Sequence, residues 1–158
     1  VAQSYRDLVV WQWAYQLALA VYRVTQQCPQ DDMLCDELRG AAVALPAAVA
    51  RGADLYDVSG ALEELNNALL TCTELEVLAY LSRDLGVISA ESCSELLTLQ
   101  RQVIRLLKSF IRRVRMLATQ DITEDSHLYE SAAEYGSDDD DVWMELHVDE
   151  QSLSDLEQ

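Results

Sequence analysis

Between Arg101 and Arg115 the chain sets out Arg101, Arg105, Lys108, Arg112 and Arg115 at intervals of 4, 3, 4 and 3, with Arg113 beside them. On a helix this spacing aligns the charges along one side. The chemistry open to such a row is electrostatic. Phosphates lying against it release their counterions, which gives salt-dependent, weakly sequence-specific binding of RNA or DNA. The surrounding stretch, Leu96 to Gln120, holds six of the eleven basic residues and no acid. The competing reading is a solvated face whose cations pair with Glu63, Glu64 and other acids of neighbouring helices. Exposed pairs of that kind contribute only about 0–1 kcal/mol each.

Other reactive side chains combine poorly. Cys28, Cys35, Cys72 and Cys93 contain no CxxC pair, and both histidines, His127 and His147, lie near the C-terminal end. Buried reduced thiols are therefore expected rather than a zinc site. Glu74 and Glu76 cannot share a helix face, and Glu63 and Glu64 are adjacent, so all four read as solvated. The Glu-x-x-His repeats of di-metal bundles are missing. No nucleophile motif or glycine-rich phosphate loop appears. The reading is a non-enzyme with no catalytic residues, no metal and no cofactor.

Charge divides the chain. Residues 1–118 hold 11 basic and 14 acidic residues, whereas residues 119–158 hold 14 acids and no Lys or Arg, out of a net charge of −17. We expect a bundle over 1–118 and an acidic, mostly disordered tail over 119–158. Within that tail Val142, Met144, Leu146 and Val148 alternate with Trp143, Glu145, His147 and Asp149. Trp143, Met144 and Leu146 are candidate partner contacts. The tail could also fold back onto the cationic helix and compete with phosphate, or serve solubility alone. A uniformly basic nucleic-acid binder is excluded by composition, although a local basic face is not. There is no secretory signal and no uncharged run of ~20 residues, so a soluble cytoplasmic protein without membrane contact is expected.

Four helices must position the basic row. Half the residues are hydrophobic, with few glycines and prolines, which favours helix. The first helix is read over Tyr5–Gln27, with one stripe of Leu8, Trp11, Tyr15, Ala18 and Tyr22 and another of Val10, Ala14, Leu17, Val21 and Val24. So wide an apolar arc suits either a thick core or contact with another subunit. The second, Asp32–Leu55, follows a capping Asp and has Leu34, Leu38, Ala41, Leu45, Ala48 and Val49 inward, with Pro46 expected to kink it. A loop at Asp57–Ser59 leads to the third, Gly60–Leu85, with Leu62, Leu65, Leu69, Cys72, Leu75 and Leu78 inward and Gly86 as a left-handed cap. Ser89 caps the fourth, which runs to Ala118 with Val103, Ile104, Leu107, Ile111 and Val114 on its apolar side; its terminal arginines suit the negative helix end. The fold class is all-α, an antiparallel up-down-up-down four-helix bundle.

Tyr5-Arg-Asp-Leu-Val-Val-Trp11 with Ala14, Tyr22 and Cys28-Pro29 resembles the opening of the ribosomal-RNA intervening-sequence proteins. Leu38-Arg39, Ala41 through Pro46, and Gly52 are similar to that family's second helix, and Arg83-Asp84-Leu85-Gly86 to the end of its third. Ala48 and Arg51 stand where the family commonly has Asn and Glu. One branch of the family comprises the accessory variability proteins of diversity-generating retroelements. The resemblance implies a homo-oligomer, a pentamer in that branch, with nucleic acid and a reverse transcriptase as partners. It also implies that the basic residues of the fourth helix make the nucleic-acid contact. The reading from a different class is a protein–protein adaptor whose acidic tail recruits a partner or shields the basic helix.

Overall fold

Side-chain caps open the first short turn and three of the four α-helices, while the first α-helix starts at Leu8 without one. The computed structural model describes residues 4–29, 32–55 and 57–120. Ser4 opens the described chain: its hydroxyl accepts from the Arg6 N–H at 3.3 Å, and the Asp7 carboxylate accepts from the Ser4 N–H at 3.1 Å. This reciprocal cap closes a short 3-10 turn, Tyr5–Asp7. Leu8 is extended (φ −72°, ψ 123°), and α1 then runs Val9–Val24. The helix expected from Tyr5 to Gln27 is thus shorter at both ends. At its C-terminus the Thr25 hydroxyl donates back to the Val21 carbonyl at 2.8 Å, and Arg39 donates to the Thr25 carbonyl at 2.6 Å and to its hydroxyl at 3.0 Å. These bonds end the ladder before Cys28-Pro29 is reached.

The Asp32 carboxylate accepts from the N–H groups of Leu34 and Cys35 to start α2, Met33–Asp54. Asp57 does the same for Ser59 and Gly60, so α3, Val58–Asp84, begins two residues before the Gly60 expected. Gly86 adopts φ +73° as read from the sequence, and the Val87 N–H takes the Ser82 carbonyl at 2.8 Å. The Ser89 hydroxyl accepts from the Ser92 N–H at 3.0 Å and heads α4, Ala90–Gln120. Because α4 continues past Ala118, its last turn carries no basic residue. The expected pairing of terminal arginines with the helix dipole is therefore corrected.

α1 packs on α2 and α4, and α3 packs on α2 and α4, so the pairs α1/α3 and α2/α4 are diagonals of a square. The connections are residues 25–32, 55–57 and 85–89. Links this short force neighbours to run antiparallel, giving the up-down-up-down bundle. Among the described residues no strand occurs. The acidic tail, its expected disorder and the contacts assigned to Trp143, Met144 and Leu146 lie outside the described residues.

The core follows the inner stripes, with two adjustments. On α1 the line Val10, Ala14, Leu17 and Val21 is buried, whereas Tyr15 and Tyr22 of the aromatic line are 44% and 46% exposed. On α3 the buried line is Ala61, Leu65, Ala68, Cys72, Leu75 and Ala79, so Leu62, Leu69 and Leu78 only flank it. The helices α2 and α3 approach closely at Gly52. A Cβ there would stand 2.9 Å from Leu65 Cγ and 3.2 Å from the Ala61 carbonyl oxygen.

The expectation of four reduced cysteines is corrected: Cys28 and Cys35 form a disulfide, and only Cys72 and Cys93 are free. The turn after α1 brings Cys28 back beside the first turn of α2, with the two Cα atoms 6.6 Å apart. Burial pushes the Cys72 thiol from 9.0 up to about 12. A raised thiol is neutral in the fold, so its contribution is complete below pH 9 and fades as pH climbs through 9 towards 12. At pH 8.5 neither buried thiol should react with iodoacetamide until denaturant is added, as mass spectrometry of the alkylated chain would read. Rapid labelling of the folded protein at Cys72 would contradict that burial.

Candidate nucleic-acid interface

Helix α4 owes its orientation to its apolar side. Val103, Leu106, Leu107, Phe110, Ile111 and Val114 are all buried against the other helices. Gln100 is buried too, and its amide donates to the Cys72 carbonyl of α3 at 3.0 Å. That bond satisfies a polar group inside the core and fixes the rotation of α4 about its axis. The opposite side is thereby turned outward. Arg101, Arg105, Lys108, Arg112 and Arg115 are exposed, and Arg113 is half-buried on the flank.

The electrostatic surroundings separate the two readings of this row. Among the described residues the ion pairs formed by other cations are Arg39–Asp36 at 3.3 Å, Arg51–Glu64 at 2.9 Å and Arg83–Asp84 at 2.7 Å. Glu64 is engaged by α2, not by α4, and Glu63 is exposed without an ion pair among the described residues. Arg101, Arg105, Lys108, Arg112 and Arg115 have no described carboxylate within 4.0 Å. Arg101 donates weakly to the Thr98 hydroxyl at 3.5 Å. The five cations thus extend about 21 Å along the helix axis, clear of the described carboxylates.

The bundle register places this row. Leu96, Leu97 and Gln100 line a small internal cavity with Leu17 and Val21. Running antiparallel to α1, the segment Arg105–Arg115 therefore lies towards the end where α1 begins. There Tyr5 and Trp11 meet edge-to-face, with ring centroids 5.4 Å apart, and Trp11 stacks on Tyr15 at 5.1 Å.

An opposite electrostatic feature was not read from the sequence. Asp36, Glu37 and Glu74 rim an open groove of about 570 Å³ between α2 and α3, floored by Gly40, Ala41 and Ala44. Glu74 joins Asp36 and Glu37 only through helix packing, so no local spacing signalled it. One wall of this groove, α2, lies diagonally across the bundle from α4, while the other, α3, is α4's neighbour. Among the described residues no group of three or more His, Cys, Asp or Glu is placed to hold a metal ion. No described helix is long and apolar enough to cross a membrane.

Fold and surface together define a small antiparallel four-helix bundle with one cationic helix face. The sequence profile of the 23S rRNA-intervening sequence protein family matches residues 6–109, and the chain belongs to that family. The match covers α1 to α3 and α4 as far as Ser109, so Arg112, Arg113 and Arg115 stand beyond it. No curated protein matches the chain.

Proposed function

We propose that this chain is a non-enzymatic, oligomeric bundle protein that binds nucleic acid through α4, with Arg101, Arg105, Lys108, Arg112, Arg113 and Arg115 as the contact residues. The observation that carries the reading is the row of five exposed cations with no described carboxylate within 4.0 Å. Placing like charges in a row on a helix is unfavourable by a few tenths of a kcal/mol per neighbouring pair. An anionic partner offsets that repulsion. RNA is favoured over DNA because the family's description refers to an rRNA.

Tyr15 and Tyr22 stand exposed on α1 and Leu70 and Val77 on α3, apolar groups that a second subunit would cover; the self-association itself rests on the resemblance. A pentamer, and a reverse transcriptase of a diversity-generating retroelement as partner, are the narrower form of the proposal and rest on the resemblance alone. Light scattering decides the first. Co-purification with a reverse transcriptase decides the second.

The test of nucleic-acid binding is a salt titration of a single-stranded RNA. Five phosphates neutralised on a single strand correspond to a log–log slope of about −3.5. A slope near zero, or no binding at ~20 mM salt, would remove α4 as a phosphate-tracking surface.

A further inference from the structure

We propose that the acidic segment 138–150 of the same chain docks along the cationic face of α4 and competes there with phosphate. As regulation of nucleic-acid binding the inference rests on the function proposed above; as a contact within one chain it does not.

The first support is complementarity. The face presents five exposed cations with no described carboxylate within 4.0 Å. Asp138, Asp139, Asp140, Asp141, Glu145, Asp149 and Glu150 bring seven acids within 13 residues and no Lys or Arg. Of the described carboxylates, Asp36, Glu37 and Glu74 stand around the α2–α3 groove, Glu64 is held by Arg51, and the two on α4 itself, Glu91 and Glu95, precede the row. Trp143 adds a ring on which a guanidinium can stack.

The second support is reach. Helix α4 ends at Gln120, and Lys108 and Arg105 lie about 18 and 22 Å back along its axis. Residues 121–137 separate the helix end from Asp138, and a chain of that length without regular structure has an r.m.s. span of roughly 20–25 Å. Span and distance coincide, the condition under which a tethered group has its highest effective concentration, of order mM. A tail from an unassociated chain at micromolar concentration competes poorly with that, and isotope mixing separates the chain's own tail from that of a neighbouring subunit.

The sequence provides its own reporter. Lys108 is the only lysine in the chain and lies in the middle of the row. A water-soluble carbodiimide joins an amine to a carboxylate that touches it, with loss of water. Applied to the full chain, it should link Lys108 to Asp138–Asp141 or Glu145. Light and 15N-labelled protein, unfolded together and refolded so that any oligomer contains both, should give links within single chains only. The link should vanish at about 0.5 M salt, where the screening length falls to ~4 Å, and in the variant Asp138→Asn, Asp139→Asn, Asp140→Asn, Asp141→Asn.

Lys108 linked only to body carboxylates, linked across differently labelled chains, or not linked at all would overturn the docking. Binding of a single-stranded RNA forms the second arm. The four-Asn variant should bind about tenfold more tightly than the parent at low salt. If the link forms and neither protein binds RNA, the docking stands and the nucleic-acid reading falls. If RNA binds equally to both and no link forms, the reverse holds.

Discussion

Replacing Arg105, Lys108 and Arg112 together by glutamate should abolish retention of single-stranded RNA, with affinity falling by roughly 100-fold or more at low salt. Three central members of the row are lost, and three anions appear in their place. The fold should survive, because all three side chains are exposed while their neighbours Leu106, Leu107, Phe110 and Ile111 stay buried. New glutamates three or four residues from Arg101 and Arg115 even add favourable helix pairs of a few tenths of a kcal/mol. The same change in net charge made at Arg6, Arg23 and Arg83 controls for general repulsion and should leave most of the affinity. Gel-shift titration reads the binding, and circular dichroism reads the helix content. A triple variant that still retains RNA as the parent does would exclude this face.

The second large effect is structural and centres on Gly52. Leu65 is fully buried, so Leu65→Ala should cost about 2–5 kcal/mol in urea unfolding. Gly52→Ala places a Cβ 2.9 Å from Leu65 Cγ and 3.1 Å from its Cδ2. Overpacking there should cost about 1–3 kcal/mol, partly offset by the ~1 kcal/mol that alanine gains over glycine inside a helix. In the double variant the offending Leu65 atoms are gone, and the added methyl partly fills the space they leave. The combined loss should therefore fall short of the sum of the single losses by about 1 kcal/mol or more. Strict additivity would show that the contact between α2 and α3 at Gly52 is looser than described.

The helix count, their order and most of the buried lines were legible because apolar residues recur at the helical period and the connections are marked by Asp, Gly or Ser. Asp32, Gly86 and Ser89 act as their residue types suggest. What escaped depends on information that no local pattern carries. The shortened α1 depends on Arg39, fourteen residues beyond Thr25, taking the carbonyl at the helix end. The pairing of Cys28 with Cys35 depends on how tightly the chain turns between α1 and α2. On α3 both sides carry large apolar residues, with Leu65 and Leu75 inside and Leu70, Val77 and Leu81 outside. Periodicity alone could not choose its inner line. The basic row was legible as a row. That its cations find no carboxylate nearby in the described bundle depends on where α3 sends Glu63, Glu64 and Glu74.

The path of the chain through the bundle also bears on how quickly it can reach its native arrangement. Every helix meets the next across a link of at most eight residues, and the one pairing that must wait for the whole body is α1 with α4. Little loop-closure entropy stands between the collapsed coil and the ordered state, which places such a topology among fast folders, on the order of microseconds to milliseconds. The last pairing to close orients the very helix that carries the cations, so the charged face acquires its final outlook only when folding is complete.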